Sequence, residues 1–327
     1  MKYALKFMML LLLLLPLAAC GGDRDDGVFR IAVIMPSAIT DVAFSQSMWD
    51  GLNAIQAEMG GESALELAYS DGMFKVSEAA EAIRDYADQG YDLIIAHGSQ
   101  YGTSVSEIAP DFPETSFAWG TATDTFGQPN IFAYQAHAQE GGYVNGVLAG
   151  LMSESGIIGI TGPVEAGDAK LYVDGFINGA KSVNPDIQVK ISYTGSFSDI
   201  ALMSEAANTH IAAGADILTG SSQSVIGAIE AAKEKGGVFW FGTQANQTSF
   251  GSEVVIASQA YDWTGPIKDM IEKHNVGTLG GESYTLTFEN DGLKLEYNPD
   301  ISVSDDAKRA AQQAIEGIKS ASINPLP

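Results

Sequence analysis

The chain has 327 residues, 46% of them hydrophobic, with 41 Asp and Glu against 17 Lys and Arg for a formal charge of −24. A field of that sign repels phosphate backbones and anionic lipid surfaces, which excludes nucleic acid as a partner. A single cysteine leaves the folded part without a disulfide, so the fold rests on an apolar core, and this length suggests two lobes more than one.

Lys2 and Lys6 precede an unbroken apolar run from Phe7 to Ala19. The run is too short to span about 30 Å of hydrocarbon, which takes roughly 20 helical residues, so it reads as the apolar region of an export signal covering residues 1–19. Leu17-Ala18-Ala19-Cys20 resembles the lipobox of bacterial lipoproteins, which makes Cys20 the expected lipidated N-terminus of the mature chain. Residues 20–27, with Asp23, Arg24, Asp25 and Asp26 among glycines, read as a flexible lipidated spacer. The expected location is the cell envelope, lipid-anchored on the outer face of the cytoplasmic membrane or in the periplasm.

From Val28 onward short apolar runs alternate with amphipathic stretches. Val28–Met35 is followed by a helical pattern over Phe44–Met59, Leu65–Tyr69 by one over Val76–Ala87, and Leu93–Ala96 by a helical segment after Tyr101. The pattern restarts after Ile131–Tyr134 with a helix over Gly141–Met152, a strand Gly156–Thr161 and a helix near Tyr172–Val183. Strands follow at Val189–Tyr193, Ile217–Thr219, Val238–Phe241 and Val254–Ser258. This is the strand–helix alternation of βαβ units, predicting an α/β fold of two doubly wound parallel-sheet lobes. Tyr284–Phe288 and Leu293–Tyr297 flank Asp291-Gly292 and predict a hairpin, and a last helix covers about Asp305–Ser320.

In open α/β sheets ligands bind beyond the carboxyl ends of strands. The polar loops at those places are Ser37–Asp41, Gly98–Gly102, Gly220–Ser224 and Gly242–Gln247, each a candidate wall of one cleft. No catalytic constellation accompanies them: there is no nucleophile elbow, no phosphate loop, and the histidines His97, His137, His210 and His274 lack metal-ligand spacing. The chain is therefore read as a non-enzyme without cofactor or metal. His97 reads as a hydrogen-bonded structural histidine sooner than as a cleft residue.

The run Asp174-Gly175-Phe176-Ile177-Asn178-Gly179-Ala180-Lys181, then Tyr193-Thr194-Gly195-Ser196-Phe197-Ser198-Asp199, resembles the basic membrane protein family of substrate-binding lipoproteins, also called the purine nucleoside receptor type. Asp41-Val42-Ala43-Phe44-Ser45, Glu140-Gly141-Gly142-Tyr143-Val144-Asn145-Gly146 and Gly214-Ala215-Asp216-Ile217 extend the likeness, which runs from about Phe29 to the C-terminus. The resemblance implies a type I periplasmic-binding-protein fold with a three-crossover hinge, closure of two lobes on a small molecule, and delivery to ABC permease subunits. Its pattern places crossovers near Tyr134–His137, Ser258–Tyr261 and Ser283, hence lobe 1 at 28–134 plus 261–282 and lobe 2 at 135–260 plus 283–327.

The family stacks a purine between aromatic rings and fixes its edges with Asp, Asn and Lys side chains. By that pattern Phe44 is the aromatic after the first strand, with Asp41 and Ser45 beside it, although its spacing with Trp49, Leu52 and Ile55 also suits a core helix residue. Gly98, Ser99, Tyr101, Ser221 and Ser222 complete the loop candidates. Where nucleoside receptors carry Gly-Val-Asp-x-Asp-Gln, this chain reads Gly242-Thr243-Gln244-Ala245-Asn246-Gln247, and Tyr261 replaces the expected lysine. Amides Gln244 and Asn246 with Tyr261 supply neutral donors and acceptors in place of a buried Asp–Lys pair suited to a ribose diol. Tyr261-Asp262-Trp263 is similar to a branch of the family thought to bind a free nucleobase, so a purine-like heterocycle is expected ahead of a nucleoside; Trp263 serves equally as cleft wall or hinge packing. The alternative function is a membrane-tethered sensor or surface interaction protein using the same closure.

Overall fold

The computed structural model describes residues 26–326, so the expected signal segment, the lipidation at Cys20 and most of the spacer lie outside the described residues. Strands β1 (Phe29–Ile34), β2 (Leu65–Ser70), β3 (Leu93–His97), β4 (Ser116–Gly120) and β5 (Ile131–Ala136) form the first sheet with β11 (Ser283–Leu286), in the order β11-β5-β4-β3-β1-β2 and parallel throughout. β1, β3 and β4 are buried along their whole length, which is why their sequences are mostly apolar instead of alternating. Helices α1 (Phe44–Met59), α2 (Val76–Asp88) and α3 (Gly102–Ile108) are the crossovers between these strands.

The second sheet repeats the plan with β6 (Ile157–Gly162), β7 (Gln188–Tyr193), β8 (Ile217–Gly220), β9 (Phe239–Gln244), β10 (Val255–Tyr261) and β12 (Leu293–Tyr297), in the order β12-β10-β9-β8-β6-β7. Only β12 runs antiparallel, along β10. Its helices are α4 (Ala138–Met152), α5 (Gly167–Val183), α6 (Ile200–Ala212), α7 (Ile226–Lys235) and the C-terminal α9 (Asp305–Lys319). α4 and α5 pack backbone against backbone: a Cβ on Gly146 would lie 2.1 Å from the Phe176 carbonyl oxygen, and one on Gly179 2.0 Å from that of Tyr143. The glycine-rich block read from the sequence is thus a helix–helix interface.

The chain passes between the sheets three times: after β5 into α4, after β10 into α8 (Thr264–Asn275), which packs on α1, and between β11 and β12. The last passage differs from the predicted hairpin. β11 pairs with β5 in the first sheet, while β12 pairs with β10 in the second. The turn chemistry is present, with Asn290 Oδ1 accepting from Thr287 N at 3.0 Å and Gly292 N at 3.1 Å. Both sheets, however, end on an open strand there, and each segment finds more backbone partners along its own sheet edge than along the other. The segment expected to give lobe 2 residues 283–327 therefore contributes its first strand to the first sheet. Glu140 of α4 holds this passage, accepting from Phe288 N at 2.9 Å and hydrogen-bonded to His137 Nδ1 at 2.8 Å. Among the described residues no helix is long and apolar enough to cross a membrane.

Candidate functional site

The carboxyl ends of both sheets face one cavity of about 350 Å³. The first lobe supplies Pro36, Phe44, Phe74, Gly98 to Gln100 and Thr121; the second supplies Ala166 to Ala169, Phe197, Ser221 to Gln223 and Gln244. A concave, largely apolar space of this size between lobes, with a few polar groups converging on it, has the character of a small-molecule site. Among the described residues no cluster of three or more His, Cys, Asp or Glu is placed to hold a metal ion.

Phe44 is held on a rigid base. Its ring stacks on His97 with centroids 3.7 Å apart and planes 10° from parallel. His97 Nε2 donates to the Phe44 carbonyl at 3.0 Å, because that oxygen can only accept; Nδ1 is then the acceptor for the Tyr134 hydroxyl at 2.8 Å. Burial pushes the His97 pKa down to about 3, so the imidazole is neutral at physiological pH. Trp263, fully buried, presents edge contacts to Phe44 and Tyr134 and donates from Nε1 to Ser47 Oγ at 3.0 Å.

The loop that places Phe44 is set by Asp41. Its carboxylate accepts from Ala43 N at 2.9 Å, Gln46 N at 3.0 Å and Ser45 N at 3.1 Å, capping α1. Burial pushes the Asp41 carboxyl up, and these N–H groups oppose the shift. Val42 adopts φ 56°, a conformation rare for a β-branched residue, and its carbonyl accepts from Gln247 Nε2 of the second lobe at 3.0 Å. Ala43 packs into the second lobe's apolar cluster with Val225 and Trp240. The lobes therefore touch through the same loop that presents the aromatic platform.

On the opposite wall Gln244 also has positive φ, 74°, and donates from Nε2 to Ser221 Oγ at 3.3 Å, while its Oε1 is buried without a partner. Ser222 Oγ donates to the Phe197 carbonyl at 2.8 Å, tying the β8 loop to the aromatic that follows β7. Asp168 lies in the first turn of α5. Its side chain keeps some surface open towards the cavity, yet Oδ2 is buried without a hydrogen-bond partner and burial raises the pKa to about 7.

Six of the twelve ligand-site residues expected from the sequence line the cavity: Phe44, Gly98, Ser99, Ser221, Ser222 and Gln244. The other six lie elsewhere. Asp41 and Ser45 are consumed by the loop at the start of α1, where Ser45 Oγ accepts from Ser37 N at 3.3 Å. Tyr101 is buried beneath the Gly98 loop with its hydroxyl donating to the Met73 carbonyl at 2.7 Å. Asn246 is exposed and donates to Glu296 at 2.6 Å on the outside. Trp263 backs the Phe44–His97 stack instead of facing the cleft, and Tyr261 is buried behind the Asp168 wall with an unpartnered hydroxyl. Sequence reasoning passed over Asp168 and Phe197, and named the loop of Gln223 without singling out that residue. All three follow carboxyl ends of strands, the rule used for the other loops, and Phe197 stood inside a block quoted only for its likeness.

The profile of the Bmp family, described as ABC transporter substrate-binding protein PnrA-like, matches residues 28–325. Purine-binding protein BAB2_0673 of Brucella abortus is 28% identical over 80% of this chain and 73% of the relative, and the transcriptional activator protein med of Bacillus subtilis is 25% identical over 85% and 86%. Among solved structures, a solute-binding protein of an ABC transporter system from Conexibacter woesei superposes with a TM-score of 0.76 at 22% identity, covering 91% of this chain and 98% of that one, which establishes a shared fold.

Proposed function

Because the chain belongs to the Bmp family of PnrA-like ABC transporter substrate-binding proteins, we propose that it captures a planar, nucleobase-like heterocycle between its lobes and passes it to an ABC permease, tethered outside the cytoplasm by lipid on Cys20. The observation that carries this reading is the Phe44 ring, fixed against His97 at 3.7 Å on the wall of the interlobe cavity. A ring locked on one face presents the other for stacking, which contributes roughly 1–3 kcal/mol per base and tolerates different bases. Phe197 lines the same space from the second lobe. No Lys or Arg lines the cavity and an amide, Gln244, stands where nucleoside receptors place a ribose-binding acid, which favours a free base over a nucleoside. The purine-binding name of the Brucella relative agrees with this chemistry.

A thermal-shift screen of nucleobases, nucleosides and simple sugars on the purified chain tests it. A ligand at about a hundredfold excess over Kd adds about 2.7 kcal/mol of stability. Nucleobases are expected to raise the melting temperature; stabilisation by sugars alone overturns the heterocycle reading. The name of the Bacillus relative favours a second reading, a ligand sensor of the same fold. Uptake of the identified ligand by cells carrying and lacking the gene separates the two, since a sensor leaves uptake unchanged.

A further inference from the structure

The polar lining of the cavity is unbalanced in one direction. Asp168, Gln223 and Gln244 each leave one acceptor oxygen buried without a hydrogen-bond partner, and no Lys, Arg or His side chain lines the space. The two amides are adaptable, since rotation exchanges their oxygen for N–H. An ionised carboxylate has no such freedom and can only accept. Asp168 occupies the first turn of α5, a 17-residue helix whose free N–H groups favour negative charge there. Burial acts against the charge, and no protein cation compensates it. Tyr261, buried behind the same wall on β10, holds its own hydroxyl without a partner.

We propose that Asp168 is the specificity-determining residue of the site, selecting planar heterocycles whose edge carries an exocyclic amino group over the same ring with a carbonyl oxygen at that position. This rests on the heterocycle reading above and adds which edge of the ring faces the β6–α5 turn. An amino group donates to the part of the carboxylate that lines the cavity and supplies the compensation that the enclosed charge lacks. A carbonyl oxygen at the same place sets two acceptors against each other and leaves both unpaired, the kind of mismatch by which polar sites reject close analogues.

Calorimetric titration of the purified chain with two matched pairs that stay uncharged, adenine against hypoxanthine and cytosine against uracil, tests the assignment at about pH 8, where a carboxylate is ionised. The native chain is expected to bind the amino member about tenfold or more tightly, as for a buried polar contact that one ligand makes and the other lacks. Asp168→Asn, nearly identical in shape and able to donate, is expected to bring the ratio close to unity or invert it. Asp168→Leu is expected to weaken the amino ligands while leaving the oxo ligands nearly unchanged. A native ratio near unity, which needs no variant to measure, or an amino preference kept by Asp168→Asn, overturns the role of Asp168 and leaves the heterocycle reading standing. Binding of none of the four compounds to the native chain overturns both.

Discussion

Gln247 reaches from the second lobe to the first, its Nε2 donating to the Val42 carbonyl at 3.0 Å while its Oε1 accepts from the Trp240 indole N–H at 2.6 Å. One fully buried amide thus joins the loop that presents Phe44 to the core of the opposite lobe. Its position makes it a latch between the halves, and the loss of either end is felt at the other.

Replacing Gln247 by Leu removes the interlobe hydrogen bond and strands the Trp240 N–H and the Val42 carbonyl, each loss amounting to about 1–3 kcal/mol. Ligand affinity is expected to fall about tenfold or more, chiefly through faster release. Stopped-flow dissociation together with small-angle scattering of the liganded chain checks this; an unchanged release rate contradicts the latch.

Phe44→Ala removes the platform and is expected to weaken heterocycle binding by roughly 1–3 kcal/mol, the value of one stacking contact. Phe44→Tyr keeps a ring of the same size and should retain most of the affinity. Calorimetry on both variants decides, with melting curves to separate lost binding from the packing lost against His97.

His97 makes stability depend on acid. Its folded pKa, pushed down to about 3 by burial, lies below the unfolded value near 6.5, so both states are neutral above about pH 6.5 and the unfolded chain alone gains the proton below it. Stability is therefore complete above pH 6.5 and is lost as pH falls towards 3, by about 1.4 kcal/mol per pH unit from this group. Denaturant titrations between pH 7 and about 4.5 are expected to show this slope, and its persistence in His97→Gln assigns it to other groups.

Asp168 predicts a pH dependence of binding with a definite sign. Burial raises its pKa to about 7, and the group beside it, Tyr261 on β10, has its own pKa raised by burial and stays neutral throughout the range. A ligand that donates to the ionised carboxylate must displace a proton below that value, so adenine affinity is expected to rise about tenfold per unit up to roughly pH 7 and then level off. Hypoxanthine affinity is expected to move the other way above it. Titrations at four or five pH values read both curves, and parallel curves for the two ligands refute the assignment.

Much of this architecture was legible because it is local. β1 and β3 announce themselves as largely apolar runs, since both faces of a parallel sheet are covered, and α1 begins at Phe44 and ends at Met59 as its periodicity and the following glycine indicate. The lining by Gly98, Ser221 and Gln244 followed from the rule that places ligands beyond the carboxyl ends of strands, while that by Phe44 followed from the family resemblance. Which side chain of such a loop turns inward was not legible. Gln244 and Asn246 are two residues apart and chemically alike, yet one lines the cavity and the other pairs with Glu296 on the outside.

The order of residues along the chain determined the strand–helix alternation, the acidic surface and the chemistry available at each loop, because these depend on side-chain type and near-neighbour spacing. The tertiary structure alone decided that β11 and β12 part company to join different sheets, that Trp263 backs the Phe44–His97 stack, and that Oδ2 of Asp168 is buried without a partner. Each of these is settled by surfaces contributed from segments tens to hundreds of residues away, since the free edge of a sheet, the back of a ring and the burial of a charge are properties of what packs around a residue and not of its neighbours along the chain.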